Sequence, residues 1–169
     1  MERTLVLLKP DALQRGIAGE IISRFEKVGL KIVAARMLQP DYDHYHEHYE
    51  GIGTLETRRG KAAFDVTLEM MLMGPVIAMV LEGIGAVEQV RKMVGATEPK
   101  SAQPGTIRGD YSHISFAHAN AHGVGIANLV HASADEKEAA AEIKHWFSDS
   151  DIYEYETVHE KYTQGRVSK

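Results

Sequence analysis

The chain contains no cysteine, which excludes disulfide bonds, thiolate nucleophiles and cysteine-ligated zinc sites. It also lacks an excess of positive charge, because 19 lysines and arginines stand against 24 aspartates and glutamates, a net charge of -5. A protein that binds polyanions through one broad basic surface is therefore excluded, and a phosphate site has to be built from a few local residues. No uninterrupted apolar run reaches the roughly 18 residues of a membrane-spanning helix.

The length of 169 residues fits one domain, since domains commonly hold roughly 100–200 residues. Hydrophobic residues make up 44% of the chain and charged residues 25%, as in an ordinary globular protein. The first four residues lead directly into an apolar segment, without the charged and apolar regions of a secretory signal. We therefore expect a cytoplasmic protein that does not bind membranes.

Apolar runs alternate with amphipathic stripes along the chain, which predicts α/β layering around one sheet. We expect four strands, at residues 4–8, 30–38, 75–81 and 125–130. We expect helices at residues 19–29, 42–50, 61–73 and 87–94, and a last helix from residue 133. The stretches 51–60 and 99–110 are rich in glycine or turn-forming residues and predict loops.

One histidine lies where a strand meets a helix. The strand ends in Asn128-Leu129-Val130-His131, and Ser133-Ala134-Asp135-Glu136 then has the Ser-x-x-Glu pattern of a capping box, with Ser133 as the N-cap. A helix N-terminus favours phosphate, and a neutral imidazole can attack phosphorus if its other nitrogen keeps the proton. An ordinary half-buried histidine at a strand end fits this segment equally well.

A carboxylate borders the buried face of the last helix. Ala139, Ile143 and Trp146 form its apolar stripe, and Glu142 lies beside them. A carboxylate in that position needs a partner, and the imidazole of His131 would serve. The alternative is a side chain that passes Trp146 to reach solvent.

Three basic residues stand singly at element ends or in polar turns. Lys9 follows the first strand, Arg91 lies in a short helix, and Arg108 lies in a Gly-rich turn. Three such cations can converge on one triphosphate, because phosphoryl transfer needs mainly positioning and charge neutralisation. Each of them could also be a solvated surface charge.

The pattern His44-x-His46-x-His48 superficially resembles a metal cluster. Residues at i, i+2 and i+4 do not share one face of a helix, so at most His44 and His48 could chelate together. No third ligand is evident. We interpret this segment as a helix with several polar aromatic positions.

Four ordered sequence blocks resemble the nucleoside diphosphate kinase family, over almost the full length. The first block is Glu2-Arg3-Thr4 with Lys9-Pro10-Asp11-Ala12 and Gln14-Arg15-Gly16. The second is Gly74-Pro75-Val76 with Leu81-Glu82-Gly83. The third is Pro104-Gly105-Thr106-Ile107-Arg108-Gly109-Asp110, and the fourth is Asn128-x-x-His131-x-Ser133.

The resemblance implies a single α/β (α+β) domain over residues 1–169, built as a ferredoxin-like αβ sandwich with a four-stranded antiparallel sheet covered by helices. It implies a ping-pong transfer of a phosphoryl group between nucleoside di- and triphosphates through phosphohistidine at His131. The expected cofactor is Mg²⁺ bound with the nucleotide, with no metal ligand from the protein. Family members usually assemble as hexamers or tetramers.

The resemblance also implies roles for individual residues. The catalytic group by position is His131, Glu142, Ser133, Lys9 and Tyr49. The nucleotide-binding group is Lys9, Phe64, Arg91, Thr97, Arg108 and Asn128. The family's base-stacking phenylalanine falls on Ala63 in this sequence, with Phe64 beside it, so Phe64 takes that role in the prediction.

Three regions depart from the family pattern: longer segments near 51–62 and 111–125, and an extension near 153–169. The second segment holds His113, His118 and His122, and we expect a hairpin that covers the base or forms a subunit contact. Together with Ala63 and Ala132, these departures leave an alternative, a weakened family member that acts as a binding or scaffold protein. Nucleic-acid binding has only the run Arg58-Arg59-x-Lys61 in its favour and is not expected.

Overall fold

The computed structural model describes residues 1–163 and contains one four-stranded sheet in the order β2-β3-β1-β4. The strands are β1 (Glu2–Leu8), β2 (Lys31–Leu38), β3 (Val76–Gly83) and β4 (Val130–Ala132). Every pairing in this sheet is antiparallel. The order and the helical connections form the ferredoxin-like arrangement, which confirms the predicted fold class.

Helices cover both faces of the sheet. They are α1 (Pro10–Gln14), α2 (Ala18–Lys27), α3 (Tyr42–His46), α4 (Leu55–Arg59), α5 (Lys61–Leu72), α6 (Ala86–Val94), α7 (Ile107–Tyr111), α8 (Phe116–Ala121), α9 (Glu136–Trp146) and α10 (Glu160–Thr163). A π-helical turn spans Glu47–Ile52, and short 3-10 turns span Pro99–Ser101 and Asp149–Asp151. Within the described part of the chain, none of these helices has the length and apolar character needed to span a membrane.

The central strand β1 contributes to two hydrophobic cores because successive side chains of a strand point to opposite faces. Leu5 and Leu7 pack with residues of α3, α5 and α9, and Val6 and Leu8 pack with residues of α2 and α6. All four side chains are fully buried. This explains why β1 is a continuous apolar run rather than an alternating one.

Two stretches predicted as loops contain short helices. The first is α4, whose first backbone N–H groups, at Glu56 and Thr57, donate to the carboxylate of Glu50. The second is α7, where the hydroxyl of Thr106 accepts from the N–H of Gly109. In both, a side chain satisfies the free donors of the helix start, which allows a single turn to form without an apolar stripe.

The segment 111–125 does not form the predicted hairpin. Its centre is the helix α8, and Ser115 caps that helix by accepting from the N–H of His118. Only Ala119 of α8 is buried, so the helix lies on the surface. The capping serine, which the prediction overlooked, is the sequence feature that indicates a helix here.

The C-terminal extension lies against the outer edge of β2 over residues 153–163. The N–H of Tyr153 donates to the carbonyl of Val33 over 2.8 Å. The register of β2 against β3 shifts at this point, which makes Val33 the extra residue of a β-bulge. The hydroxyl of Tyr155 donates to the carbonyl of Ile32, the residue before Val33, over 2.6 Å. Residues 164–169, the rest of the predicted extension, lie outside the described part.

Candidate active site

His131 lies on β4, opposite Leu7 of the central strand. Its Nε2 is 2.7 Å from Oε1 of Glu142, a residue of α9 that is only 1% exposed. Within residues 1–163 no hydrogen bond is made by the other ring nitrogen, Nδ1. A buried carboxylate thus holds Nε2 of the imidazole, and Nδ1 is left without a partner in the described part of the chain.

The carboxylate of Glu142 is fixed from its other side by a serine. Its Oε2 accepts from the hydroxyl of Ser133 over 2.6 Å, and that hydroxyl accepts from the backbone N–H of Leu5 over 3.2 Å. Ser133 and Glu142 are both buried. The carboxylate is therefore oriented by the backbone of the central strand through one hydroxyl group.

The prediction that Ser133 is the N-cap of the last helix was wrong. The helix begins at Glu136, with Asp135 as the N-cap that accepts from the N–H of Glu138. The carboxylate of Glu138 accepts in turn from the N–H of Ala134 over 2.8 Å. This helix end is capped and acidic, so it offers no anion site beside His131.

A left-handed residue, Leu129, directly precedes β4. Leu129 has a φ of 71°, a conformation that costs a side-chain-bearing residue about 1–2 kcal/mol. Its N–H donates to Asp11 over 3.0 Å, and its carbonyl accepts from the N–H of Lys9 over 2.9 Å. Arg108 donates to the carbonyls on either side, over 3.1 and 2.6 Å. This kink delays β4 to Val130, and the expected strand over 125–130 was wrong for that reason.

Lys9 and Asn128 are hydrogen-bonded to each other beside this kink. The ammonium of Lys9 donates to Oδ1 of Asn128 over 2.8 Å, and the amide of Asn128 donates to the carbonyl of Thr97 over 2.9 Å. Burial lowers the pKa of Lys9 to about 8, with Arg108 adding to the effect and Asp11 opposing it. An anion bound nearby would stabilise the charged form of Lys9 and raise its pKa again.

Two arginines complete a positive region. Arg108 is 8% exposed, and burial, together with the charge of Arg91, lowers its pKa to about 10. Besides the two carbonyls at the kink, it donates to the carbonyl of Gly95 over 2.9 Å. Arg108 remains cationic at neutral pH because even a pKa near 10 leaves its guanidinium protonated. Its repulsion with Arg91 is relieved by a bound polyanion.

The π-helical turn brings two consecutive residues into the site. His48 is 1% exposed and Tyr49 is 8% exposed, and their ring centroids lie 4.6 and 6.2 Å from that of His131. Burial raises the pKa of Tyr49, so its hydroxyl stays protonated. Among the residues that the structure describes, this hydroxyl has no hydrogen-bond partner. It is a buried donor whose hydrogen-bonding capacity is unused by these residues.

His48 is the site residue that the sequence interpretation missed. The structure separates the three histidines of that segment: His44 stacks on His145 at 3.9 Å, and His46 packs edge-on against Phe64 at 5.4 Å. Only His48 reaches the site. The available signal was that His48 is adjacent to Tyr49, a predicted site residue. In a regular α-helix the side chains of adjacent residues point about 100° apart, so this adjacency did not predict that both face the site. The π-helical turn changes the directions in which the two side chains point.

The predicted contact between Phe64 and a base is contradicted by burial. Phe64 is 1% exposed and belongs to the hydrophobic core that α5 forms with β1. Its ring therefore has no open face on which a base could stack.

Comparison with known proteins places the chain in a family. The model of the family described as "Nucleoside diphosphate kinase" matches residues 2–152. The chain belongs to the nucleoside diphosphate kinase family. It is similar to a nucleoside diphosphate kinase of Borreliella burgdorferi, with 44% identity over 155 residues that make up 92% of each chain. It is similar to one of Pyrococcus furiosus, with 48% identity over 92% of this chain and 88% of that protein.

Solved structures of nucleoside diphosphate kinases have the same fold. A transition-state mimic of the Borrelia burgdorferi enzyme with bound vanadate and ADP has a TM-score of 0.93 and 43% identity, covering 96% of each chain. The enzyme of Halobacterium salinarum in complex with CDP has a TM-score of 0.81 and 37% identity, covering 96% of this chain and 97% of that one.

The structure brings together every predicted site residue except Phe64. These residues are His131, Glu142, Ser133, Lys9, Tyr49, Arg91, Thr97, Arg108 and Asn128. The resulting arrangement is a histidine whose Nδ1 has no partner among residues 1–163, a buried carboxylate at its Nε2, and three basic residues around the neighbouring kink.

Proposed function

We propose that this nucleoside diphosphate kinase transfers the γ-phosphoryl group of a nucleoside triphosphate to a nucleoside diphosphate through phosphohistidine at His131. The observation that carries the proposal is the 2.7 Å contact between Nε2 of His131 and the buried Glu142, which leaves Nδ1 as the nucleophilic atom. The relative solved as a transition-state mimic with vanadate and ADP supports this assignment.

The chemistry follows from which nitrogen is free. The lone pair of Nδ1 attacks the γ-phosphorus, a bond between phosphorus and nitrogen forms, and the bond to the bridging oxygen of the departing diphosphate breaks. Glu142 holds the Nε2 proton and stabilises the positive charge that the ring acquires. A second nucleoside diphosphate then attacks the phosphohistidine, and the same steps in reverse regenerate free His131.

The remaining residues position and neutralise the phosphates in this proposal. Lys9, Arg91 and Arg108 offset the charge that spreads over the phosphoryl oxygens in the transition state. Tyr49 donates its free hydroxyl to the substrate, and Thr97 and Asn128 line the path to the sugar. Ser133 acts on Glu142 rather than on the nucleotide, since its hydroxyl is 2.6 Å from that carboxylate.

Magnesium enters this proposal as part of the nucleotide substrate. Among residues 1–163, the group of side chains suited to hold a metal is His48, His131 and Glu142. Two imidazoles and one carboxylate suit zinc, whereas Mg²⁺ prefers oxygen ligands in an octahedron. These residues do not fit a protein-held magnesium site. An ion bound to the phosphate oxygens would neutralise part of their charge.

We extend the proposal to the whole chain. Residues 1–169 form one catalytic domain of a cytoplasmic homo-oligomer, a hexamer or a tetramer, that acts on nucleoside di- and triphosphates. The alternative, a scaffold that has lost activity, would be supported by damage at the reacting groups. His131 and Glu142 are present and in contact, and Lys9 and Arg108 are present and close enough for their charges to interact, so the alternative is not favoured.

The test is brief incubation with γ-labelled ATP and magnesium, followed by acid and alkali treatment of the protein. The expected label is stable in alkali and lost in acid, as a phosphoramidate is. His131→Gln should abolish it, and the matched control His122→Gln, at an exposed histidine of the α8 segment, should retain it. Label that persists in His131→Gln would overturn the assignment of the nucleophile.

A further inference from the structure

Trp146 is hydrogen-bonded to a histidine beside the active site. Its indole N–H donates to Nδ1 of His48 over 3.1 Å, and the two rings stand perpendicular. Trp146 is fully buried and His48 is 1% exposed, so water does not compete for this bond. Nothing in the phosphotransfer proposed above uses either side chain.

The bond determines where the proton of His48 lies. An indole nitrogen can only donate, so Nδ1 of His48 must carry the lone pair and Nε2 the proton. Burial and the neighbouring histidines lower the pKa of His48 well below its usual value, which keeps the ring neutral. The neutral ring therefore has a single tautomer that satisfies Trp146, and the Nε2–H of that tautomer is buried without an acceptor in the described part of the chain.

This tautomer affects Glu142, whose Oε1 lies 3.5 Å from Nδ1 of His48 and 2.7 Å from Nε2 of His131. Because Nδ1 of His48 has no proton, it cannot donate to the carboxylate. Oε1 is left with one imidazole donor, His131, while Oε2 accepts from Ser133. With the proton on Nδ1, His48 would compete with His131 for Oε1 and leave the indole N–H unpaired in the core.

We propose that Trp146 is a positioning residue that holds His48 in the Nε2-protonated tautomer and thereby reserves Oε1 of Glu142 for His131. The consequence for the reaction, which rests on the proposed function, is a stronger bond from Nε2–H of His131 to the carboxylate. That bond raises the basicity of Nδ1, the attacking atom.

The direct test is ¹⁵N NMR of the full chain with labelled histidine and no nucleotide. The signals of His48, assigned by their loss in His48→Phe, should show a pyridine-type Nδ1 and a pyrrole-type Nε2. The opposite assignment would overturn the proposal. The measurement needs no turnover, so it can fail or succeed independently of the proposed phosphotransfer, whose own failure would appear as an unlabelled His131.

The kinetic test is Trp146→Phe, which removes the N–H and keeps an aromatic ring. We expect the phosphorylation rate of His131 to fall roughly tenfold, the effect of one buried hydrogen bond, and the acidic limb of the pH profile to move to lower pH. Trp146→Phe in a His48→Phe background serves as the control, because a loss of packing persists there and a tautomer effect disappears. An equal loss in both backgrounds, or an unshifted profile, would reduce Trp146 to a core residue.

Discussion

The catalytic centre and the rim around it are built differently. At the centre, Glu142 and Ser133 are buried and hydrogen-bonded to each other and to the central strand. At the rim, formed by the segments 51–62 and 111–125, α4 has no buried residue and α8 has one. The difference indicates that the proposed reacting groups belong to the core of the fold, whereas the two longer segments lie on the surface, where a change disturbs the core least.

Two hydrogen bonds connect the α8 part of the rim to the loop beside Thr97. The N–H of Phe116, at the start of α8, donates to the carboxylate of Glu98, next to Thr97. The N–H of Lys100 donates to the carbonyl of Ile114 over 3.1 Å. These two contacts connect α8 to the loop that also receives the amide of Asn128. Changes in the rim should therefore alter nucleotide binding before they alter the chemistry.

Phe64→Ala should give the largest effect and locate the boundary between the two regions. Removing a buried phenylalanine leaves a cavity and costs about 3–5 kcal/mol of stability, measured by denaturant unfolding. The matched control is Phe116→Ala on the rim, at a ring 36% exposed, which should cost less than about 0.5 kcal/mol. If Phe64→Ala instead raises KM at unchanged stability, the ring belongs to the nucleotide site after all.

Arg108→Ala should have the second-largest effect, because it removes a charge from the centre and three hydrogen bonds to backbone carbonyls. We expect a loss of about 2–4 kcal/mol of transition-state stabilisation, read from kcat/KM. Arg24→Ala is the control, since Arg24 binds Asp110 of the same short helix α7 but lies outside the site. Equal losses in the two variants would show that Arg108 provides stability of α7 and its surroundings, not charge at the phosphate.

The pH dependence of nucleotide binding tests Lys9. Its pKa of about 8 means that the ammonium is charged below that pH and loses its charge above it. The affinity for ADP should therefore decline above about pH 8, by at most about tenfold per pH unit. Isothermal titration calorimetry between pH 7 and pH 10 measures this. Lys9→Met should bind weakly with a flatter profile, and a wild-type profile as flat as that of the variant would contradict the assignment.

The smallest effect is expected from the rim itself. Replacing residues 116–121 by glycine and serine removes α8 at constant length. KM for ATP should change by less than about tenfold, or ~1.4 kcal/mol, while His131 is still phosphorylated. Size-exclusion chromatography would report whether the segment also contributes to assembly. Loss of phosphorylation with the fold intact would show that the rim and the centre are not separable.

The catalytic centre was predicted from the sequence more accurately than the rim. The apolar runs located β1 and β3, and the stripe around Glu142 indicated that a carboxylate borders the core. Lys9 was placed correctly at a strand end because a proline follows it. These features are local in sequence, so periodicity and turn chemistry are sufficient to find them.

The errors have a shared cause, which is that distant residues decide the outcome. Ser133 has a capping pattern, but its hydroxyl is used by Glu142, nine positions later. Phe64 is adjacent to Ala63, the position expected to face the base. Adjacent side chains of a helix point in different directions, and the ring of Phe64 lies in the core. His48 required knowledge of a π-helical turn. None of these can be read from spacing alone.

The bulge at Val33 has a consequence for how copies of this chain can meet. An edge strand with free carbonyl and N–H groups is a template for adding another strand. Here the first half of that edge is already used by the chain's own extension, through Tyr153 at the bulge and an ion pair of 2.8 Å between Lys31 and Glu160. A neighbouring molecule that extends this sheet must begin its pairing beyond Ala34. The extension thus limits the register in which two sheets can join.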